Sequence, residues 1–589
     1  MDENRRSIWE MFIIYKKIIK IISHFSKKYI IVTIIMSLIR GILPVVTLII
    51  MRYIMNSLQQ GGTRWSYLLT FILIYAGVNL FESILEETYS LYSLSIYEKF
   101  TKYISLLLIN KSFRLKLEDF ETKETYNLIS RAQEQSGEKI LTYFERMLNV
   151  FQEFIAFILY IYIIAEFKWS LVPIAIMIPL IKSIFAIKLG QLQYKVVLDR
   201  TDTERKCWYI NFLATTGLAF KEILIYGLGS FLENHYKILK DKIINQDIKI
   251  GKIGCIFGCI FGLLEQVITT GLFGYFIYLG FNRVLLIGDI NTYINCLDGT
   301  KASAESIFNG ISENYKNALY LGLLFEFLDL DERQEEGNIK IKKIESVELI
   351  DVSYTYKNQD VLILNNISLK LCDKEILGLV GKNGSGKTTL IKLILGFYDD
   401  YKGKILINGI DLKKIDKKMY YAHIACVFQD FIKYEMSLRN NVGYGDVRHL
   451  DDEDYILKML KKIGFKKVNQ FKYGIDTILG SWFGDIQLSS GEWQKIAIAR
   501  AMIKDADMYI LDEPDAALDS VAEMQILDQY KNILTEKIGI IISHKVTHIN
   551  KICNTIVVID QGRIVERGTH NQLMEIKGIY YEMYSKQIN

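Results

Sequence analysis

Gly381-Lys382-Asn383-Gly384-Ser385-Gly386-Lys387-Thr388 fits G-x-x-x-x-G-K-[ST] and follows the apolar run Ile376-Leu377-Gly378-Leu379-Val380. A helical pattern opens at Lys387, so the motif stands between a strand and a helix, the context in which it binds phosphate. A glycine-rich turn before a helix is the alternative, and this context disfavours it. Gly381, Gly384 and Gly386 let the backbone curl until the N–H groups from Asn383 and Ser385 through Thr389 point inward at an anion. The positive end of the helix dipole faces the same point. Lys387 supplies a neutralising charge and the Thr388 hydroxyl a ligand for Mg²⁺. The stretch implies a nucleoside triphosphate site.

Outward from this loop the composition is that of a short-stranded α/β domain. Runs rich in β-branched residues at Val347–Tyr356, Ile363–Lys370, Ile376–Val380, Lys404–Ile407, Ala422–Phe428, Met508–Leu511, Gly539–Ser543 and Thr555–Ile559 alternate with helical patterns. They predict a largely parallel sheet with the phosphate loop at a strand's carboxyl end. Met508-Tyr509-Ile510-Leu511-Asp512-Glu513 is an apolar strand ending in two carboxylates. Asp512 is placed to hold Mg²⁺ and Glu513 to polarise the water that attacks the γ-phosphorus.

Toward the N-terminus the chain turns apolar. Of 589 residues, half are hydrophobic and only four are proline. The net charge of +4 is small for this length, so bulk charge gives no sign of a nucleic-acid partner. Seven scattered cysteines lack C-x₂-C spacing. Cys255 and Cys259, four apart on an apolar helix, are expected to be buried packing residues in a reducing setting. Arg5, Arg6, Lys16, Lys17, Lys20, Lys27 and Lys28, interleaved with apolar residues, predict an amphipathic helix on the cytoplasmic face.

Six membrane spans are expected from there: Tyr29–Met51, Ser66–Phe81, Val150–Ala165, Leu171–Ile187, Phe257–Gly280 and Ile290–Ile311. The polar stretch Glu82–Phe113 reads as a continuation of the second. The long charged segments 82–149 and 188–252 would lie inside with both termini, in a cytoplasmic membrane, following the positive-inside bias. The sixth span is polar, with Asn295, Asp298, Lys301 and Glu305 among its interruptions. These are expected to line a path for a hydrophilic substrate, Asp298 and Lys301 pairing at i,i+3, unless part of the stretch simply lies in water. The charged run Asp331–Gly337 opens a linker. The organisation expected is therefore 1–330 membrane domain, 331–345 linker and 346–589 nucleotide-binding domain.

Leu488-Ser489-Ser490-Gly491-Glu492-Trp493-Gln494, before the helical pattern Lys495–Met502, resembles the signature of ATP-binding cassette proteins. Gln429 is similar to their Q-loop glutamine, which joins Mg²⁺ to the attacking water, and Ala517-Leu518-Asp519 to their D-loop. His544, ending Ile541-Ile542-Ser543-His544, is similar to their switch histidine, and Tyr356 to the aromatic that stacks on adenine. The resemblance covers about residues 345–585 firmly and the membrane half more loosely. It implies an α-helical six-span transmembrane domain followed by an α/β P-loop ATP-binding cassette, the layout of an exporter half-transporter. It further implies ATP sandwiched between two cassettes, Ser489 and Gly491 acting on the partner chain's ATP, and hence a dimer, most simply of two identical chains. Ser490 stands where the signature usually has glycine, which puts close approach to phosphate in question and suggests slower turnover.

Phe120–Asn127 and Phe212–Lys221 occupy the places where such exporters' internal loops touch the cassettes, although ordinary solvated helix ends would look the same. Gly491-Glu492-Trp493-Gln494-Lys495 is similar to the lantibiotic and bacteriocin-type peptide exporters. That implies ATP-driven export of a peptide precursor made by separate modification enzymes. Lipid or multidrug export is the alternative, and a non-transporting regulatory ATPase a second. The first span comes within about thirty residues of Met1, so any such peptide is expected to leave with its leader attached.

Overall fold

The computed structural model describes residues 2–61, 64–121, 137–217, 219–333, 337–357, 361–484, 486–513, 520–534 and 536–588. Ala517-Leu518-Asp519, Thr122–Asn127 and Leu218 lie outside these. Two compact units emerge: Met1–Leu115 with Glu121–Asp331, and Lys116–Phe120 with Glu332–Asn589.

Among its described residues the first unit is helical: α1 (Asp2–Phe25), α2 (Lys27–Gln60), α3 (Trp65–Arg114), α5 (Gly137–Phe167), α6 (Val172–Asp199), α7 (Thr201–Thr215), α8 (Phe220–Ile225), α9 (Gly229–Phe281) and α10 (Ile287–Leu328), whereas α4 (Leu117–Glu121) falls, but for Glu121, in the segment grouped with the second unit. Four of these, α2, α3, α5 and α9, are long and apolar enough to cross a membrane, and a shorter apolar stretch, Trp169–Lys182, runs into α6. As the sequence implied, α3 runs unbroken from its apolar start into the polar stretch ending at Arg114. Ser26 caps α2 by accepting the Tyr29 N–H at 3.2 Å, which sets the break after α1. On α1, Ile18 and Ile22 are fully buried against Phe100, Ile104, Tyr143 and Leu324. Lys17, on the same helix, pairs with Asp329 at 2.5 Å.

Charges inside these helices find partners on neighbouring ones, as a low-dielectric setting requires. Arg40 on α2 donates to Glu86 on α3 at 2.6 Å and lies over the Tyr89 ring. Arg52 donates to Asp289 at 2.6 Å. Lys301 on α10 lies 3.5 Å from Glu265 on α9, so its partner is not Asp298 as the i,i+3 spacing suggested. Glu265 is only 4% exposed and also faces Lys182 on α6 at 3.8 Å, while Lys182 pairs with Glu305. Cross-helix packing has overridden the local pairing: Asn295 and Asp298 turn to the exposed side. Thr292, Thr300 and Ser303 are buried, bonding to Gly288 O, Cys296 O and Glu153 respectively. Cys255 and Cys259 are exposed, not buried as expected. They flank Gly258, where an added Cβ would meet nothing within 4 Å, so this chain leaves that face of α9 uncovered.

Among its described residues the second unit holds ten strands where eight were expected. β1 (Ser346–Tyr354), β2 (Leu364–Cys372), β4 (Lys402–Ile407) and β5 (Ile410–Asp411) form an antiparallel sheet in the order β2-β1-β4-β5. β3 (Ile376–Val380), β6 (Ile424–Val427), β7 (Met508–Asp512), β8 (Ile538–Ile542), β9 (Thr555–Asp560) and β10 (Arg563–Gly568) form a second sheet, β10-β9-β3-β8-β7-β6, parallel except at β10. Burial pattern separates the two. β2 alternates between buried and open positions, whereas β3, β7 and β8 are buried throughout, as strands covered on both faces must be. Leu377 and Leu379 of β3 and Ile540 and Ile542 of β8 have no exposed surface. Truncating any of them to alanine would cost about 2–5 kcal/mol.

Candidate functional site

β3, β8 and β7 lie side by side and end at the same edge, so the three segments that follow them meet in space. Those segments are the phosphate loop, Ser543-His544 and Glu513. This is the carboxyl edge at which open parallel sheets bind ligands.

The loop leaves β3 through Gly381 and enters α11 (Lys387–Ile394) through Gly386, whose φ is +104°. A Cβ on Gly381 would sit 2.2 Å from Ile559 O, and one on Gly386 2.7 Å from Leu364 Cδ2. Both positions therefore demand glycine for space as well as for conformation. Lys387 is 6% exposed and donates to Gly381 O at 2.9 Å and Lys382 O at 3.0 Å, folding its ammonium back over the loop. Burial lowers its pKa, opposed by the nearby Glu513 and Asp512 carboxylates.

Asp512 ends β7, 3% exposed, and burial together with the neighbouring Glu513 charge pushes its carboxyl up to about 6. Asp512 Oδ1 and the Ser385 hydroxyl are buried polar atoms with no hydrogen-bond partner. Unsatisfied buried oxygens of this kind fit a cation carried in with a phosphate ligand. Among the described residues no group of three or more His, Cys, Asp or Glu side chains offers an all-protein cage. Mg²⁺ characteristically takes one or two carboxylates and fills its shell from phosphate and water.

Glu513 adopts φ +47°, rare for a non-glycine residue, and its N–H donates to Ile542 O at 2.9 Å. That strained turn is held by the adjacent strand and aims the carboxylate across the loop. One oxygen accepts from Gln429 Nε2 at 2.7 Å and the other lies 2.5 Å from His544 Nε2.

A cavity of about 500 Å³ gathers Tyr356, Asn383, Gly384, Gly386, Lys387, Thr388, Thr389, Gln429, Glu513 and His544, with Ile363 as a further wall. Gly381, Ser385 and Asp512 lie beneath it as buried support. Ile363 was not anticipated: an aliphatic residue ahead of a strand carries no sequence signal. Tyr356 is half buried, edge-on to Tyr354 and Tyr398, and its hydroxyl is 3.1 Å from Thr389 Oγ1.

Ser489 and Gly491 are not part of this cavity. Ser489 caps α12 (Ser490–Met502): its Oγ accepts from Glu492 N at 3.3 Å and Glu492 Oε2 accepts from Ser489 N at 2.8 Å. This reciprocal box satisfies the N–H groups of Ser489 and Glu492. Ser490 is exposed and helical, so the backbone at the departure from the usual glycine makes no demand for a positive φ. Asn295, Asp298, Lys301 and Glu305 belong to the membrane unit and are not gathered with the cavity residues.

A family model for ABC transporters matches residues 364–516. Over 93% of this chain and 90% of the other, 34% of residues are identical to the subtilin transport ATP-binding protein SpaT of Bacillus subtilis. The chain belongs to the ABC transporter family. The nisin transport ATP-binding protein NisT of Lactococcus lactis subsp. lactis is 31% identical over 96% of this chain and 95% of its own. The ATP-dependent lipid A-core flippase of Shigella sonnei is 30% identical over 62% of this chain and 63% of its own. A solved bacterial Atm1-family ABC exporter with ATP bound superposes with a TM-score of 0.78 over 96% of this chain and 99% of that one. Their identity is 20%, so this match speaks for the fold alone. This ABC exporter is a multi-pass membrane protein, with a helical membrane domain ahead of one ATPase domain whose ATP hydrolysis is coupled to transport.

Proposed function

We propose that this exporter moves a peptide, most simply a lanthionine-type precursor, out of the cell as a homodimer working by alternating access. The observation that carries the reading is identity at 34% and 31% along nine-tenths or more of the subtilin and nisin transport proteins. The flippase likeness, which favours a lipid cargo, covers under two thirds of either chain.

In this reading the loop from Gly381 to Thr389 cradles the phosphates of ATP, Lys387 neutralises them and Tyr356 stacks on the base. Thr388, Gln429 and Asp512 would hold Mg²⁺, which supplies charge neutralisation to the β- and γ-oxygens. Glu513 takes a proton from the attacking water while His544 steadies the γ-phosphate side of the site. Ser489 and Gly491 present the α12 N-terminus to the nucleotide of the partner subunit. The chain carries one phosphate loop and one signature, so a sandwich of this kind needs two chains. Closing the cassettes on ATP would then shift the membrane helices between two arrangements. The termini and the lysine-rich loops face the cytoplasm.

The experiment is peptide uptake into inside-out vesicles containing the purified protein, with a leader-bearing lanthionine precursor as cargo. ATP-dependent accumulation, with peptide-stimulated phosphate release, is the expected result. Stimulation by lipid alone, with no peptide accumulated, would move the protein to the flippase class. Nucleotide turnover with no flux of either cargo would leave the regulatory ATPase.

A further inference from the structure

Neither the phosphate loop nor the strand edge accounts for how His544 is held. His544 follows β8, and its side chain is 43% exposed, so packing alone does not fix it. Its own carbonyl and the Val546 N–H two residues on are clasped by one residue from a helix distant in sequence, Ile579–Ile588. Gln587 Oε1 accepts from Val546 N at 2.8 Å, and Gln587 Nε2 donates to His544 O at 2.5 Å. The Val546 N–H is at the start of the helix Val546–Ile552, whose preceding residue, Lys545, gives no side-chain cap. Gln587 therefore does the work of a missing N-cap while gripping the carbonyl of the histidine itself.

We infer that Gln587 is a positioning residue for ATP hydrolysis, setting the backbone at His544 so that its imidazole meets Glu513. Both bonds use the same amide, one end as acceptor and one as donor, so the clasp fixes the turn from His544 to Val546 in orientation as well as position. Within that turn Lys545 N also bonds Ser543 Oγ at 3.0 Å, which ties the near end to the buried Ser543. The helix bearing Gln587 is itself anchored by Tyr580, fully buried beside Val546 and Ile549 and bonded to His570 at 2.8 Å. Hydrogen bonds and packing thus link that helix to the hydrolytic site. A displacement of the histidine by about an ångström is enough to cost up to a hundredfold in rate.

The inference rests on the assignment of His544 to the γ-phosphate, and the test separates the two. Single-turnover hydrolysis, ATP retention and melting temperature are measured on the full-length dimer for His544→Ala, Gln587→Met, Gln587→Glu and the double variant His544→Ala/Gln587→Met. Met fills the same length without either bond, and Glu keeps the acceptor but loses the donor. The expected result is a fall of about tenfold in turnover for both Gln587 variants, with ATP retention unchanged and the melting temperature lowered by no more than the loss of one helix cap. In the His544→Ala background, Gln587→Met should add nothing, because its effect runs through the histidine. If His544→Ala hydrolyses normally, the assignment of the histidine fails and the inference with it. If His544→Ala is slow while Gln587→Met is normal, or slows both backgrounds equally, the positioning role alone is overturned.

Discussion

Glu513 and His544 meet across the mouth of the nucleotide cavity, with Oε1 of one 2.5 Å from Nε2 of the other. They come from the ends of neighbouring strands, and the left-handed turn at Glu513 is what turns its carboxylate toward the imidazole. Replacing the carboxylate by an amide keeps the size and removes the base. Glu513→Gln is therefore expected to lose about a hundredfold or more in steady-state hydrolysis while still retaining ATP. Phosphate release and nucleotide retention measured together decide it, and near-normal turnover would remove Glu513 from the catalytic role.

Ser489 and Gly491 lie outside the cavity, and in the proposed reading they act on the nucleotide of a partner chain. Co-expressing Lys387→Ala with wild-type chains should depress activity more steeply than the wild-type fraction, because each mixed dimer carries an impaired site. A strictly linear dose response would show that the chains work independently.

The signature helix has its own acid sensitivity. Burial would raise the Glu492 carboxyl, but Lys467 at 2.8 Å and the Ser489 N–H overcome this and hold it below the ordinary range. A depressed folded pKa contributes stability that is present above the unfolded value of about 4.3 and is lost as pH falls through the folded one. Glu492→Gln is expected to flatten the acid limb of the cassette's melting curve below about pH 4.5. Ser489→Ala should cost about 1 kcal/mol at every pH, since a hydroxyl cap does not titrate there. An unaltered acid limb in Glu492→Gln would show that the box plays no part in it.

In the membrane unit Glu265 is shared by two lysines and nearly sealed from solvent. Glu265→Gln is expected to destabilise by about 1–3 kcal/mol, less than a fully buried pair because both lysines are one-third exposed. Asp298→Ala removes an exposed carboxylate and should impair export with melting temperature and basal hydrolysis unchanged. A melting shift in Asp298→Ala as large as in Glu265→Gln would show that Asp298 is structural.

Where function dictates sequence locally, the sequence was readable. The phosphate loop and the strand ending in Asp512-Glu513 each state their conformation within a few residues, and apolar length found four of the expected spans and a shorter fifth, but not the polar sixth at 290–311. Relations made by tertiary packing were not. Lys301 found Glu265 on another helix instead of its neighbour Asp298. Cys255 and Cys259 share an apolar helix whose outward face the pattern does not reveal. β5 and β10 are an edge pair and a hairpin return, too short or too polar to register as apolar runs. The turn at Glu513 breaks the ordinary preference of its residue type, and nothing in its neighbours announces that.

Helix α3 runs for 50 residues with a single glycine, Gly77, and no proline, the usual sites of kinks. At 1.5 Å per residue it is a rod of about 75 Å. Hydrocarbon occupies only about 30 Å of that. A rod this stiff behaves as a lever: a tilt of about five degrees at its Trp65 end sweeps Arg114 through about 6–7 Å, well over one helical turn. An angular change of that size, too small to break packing in the bilayer, would thus become a displacement larger than a helical turn at the Arg114 end.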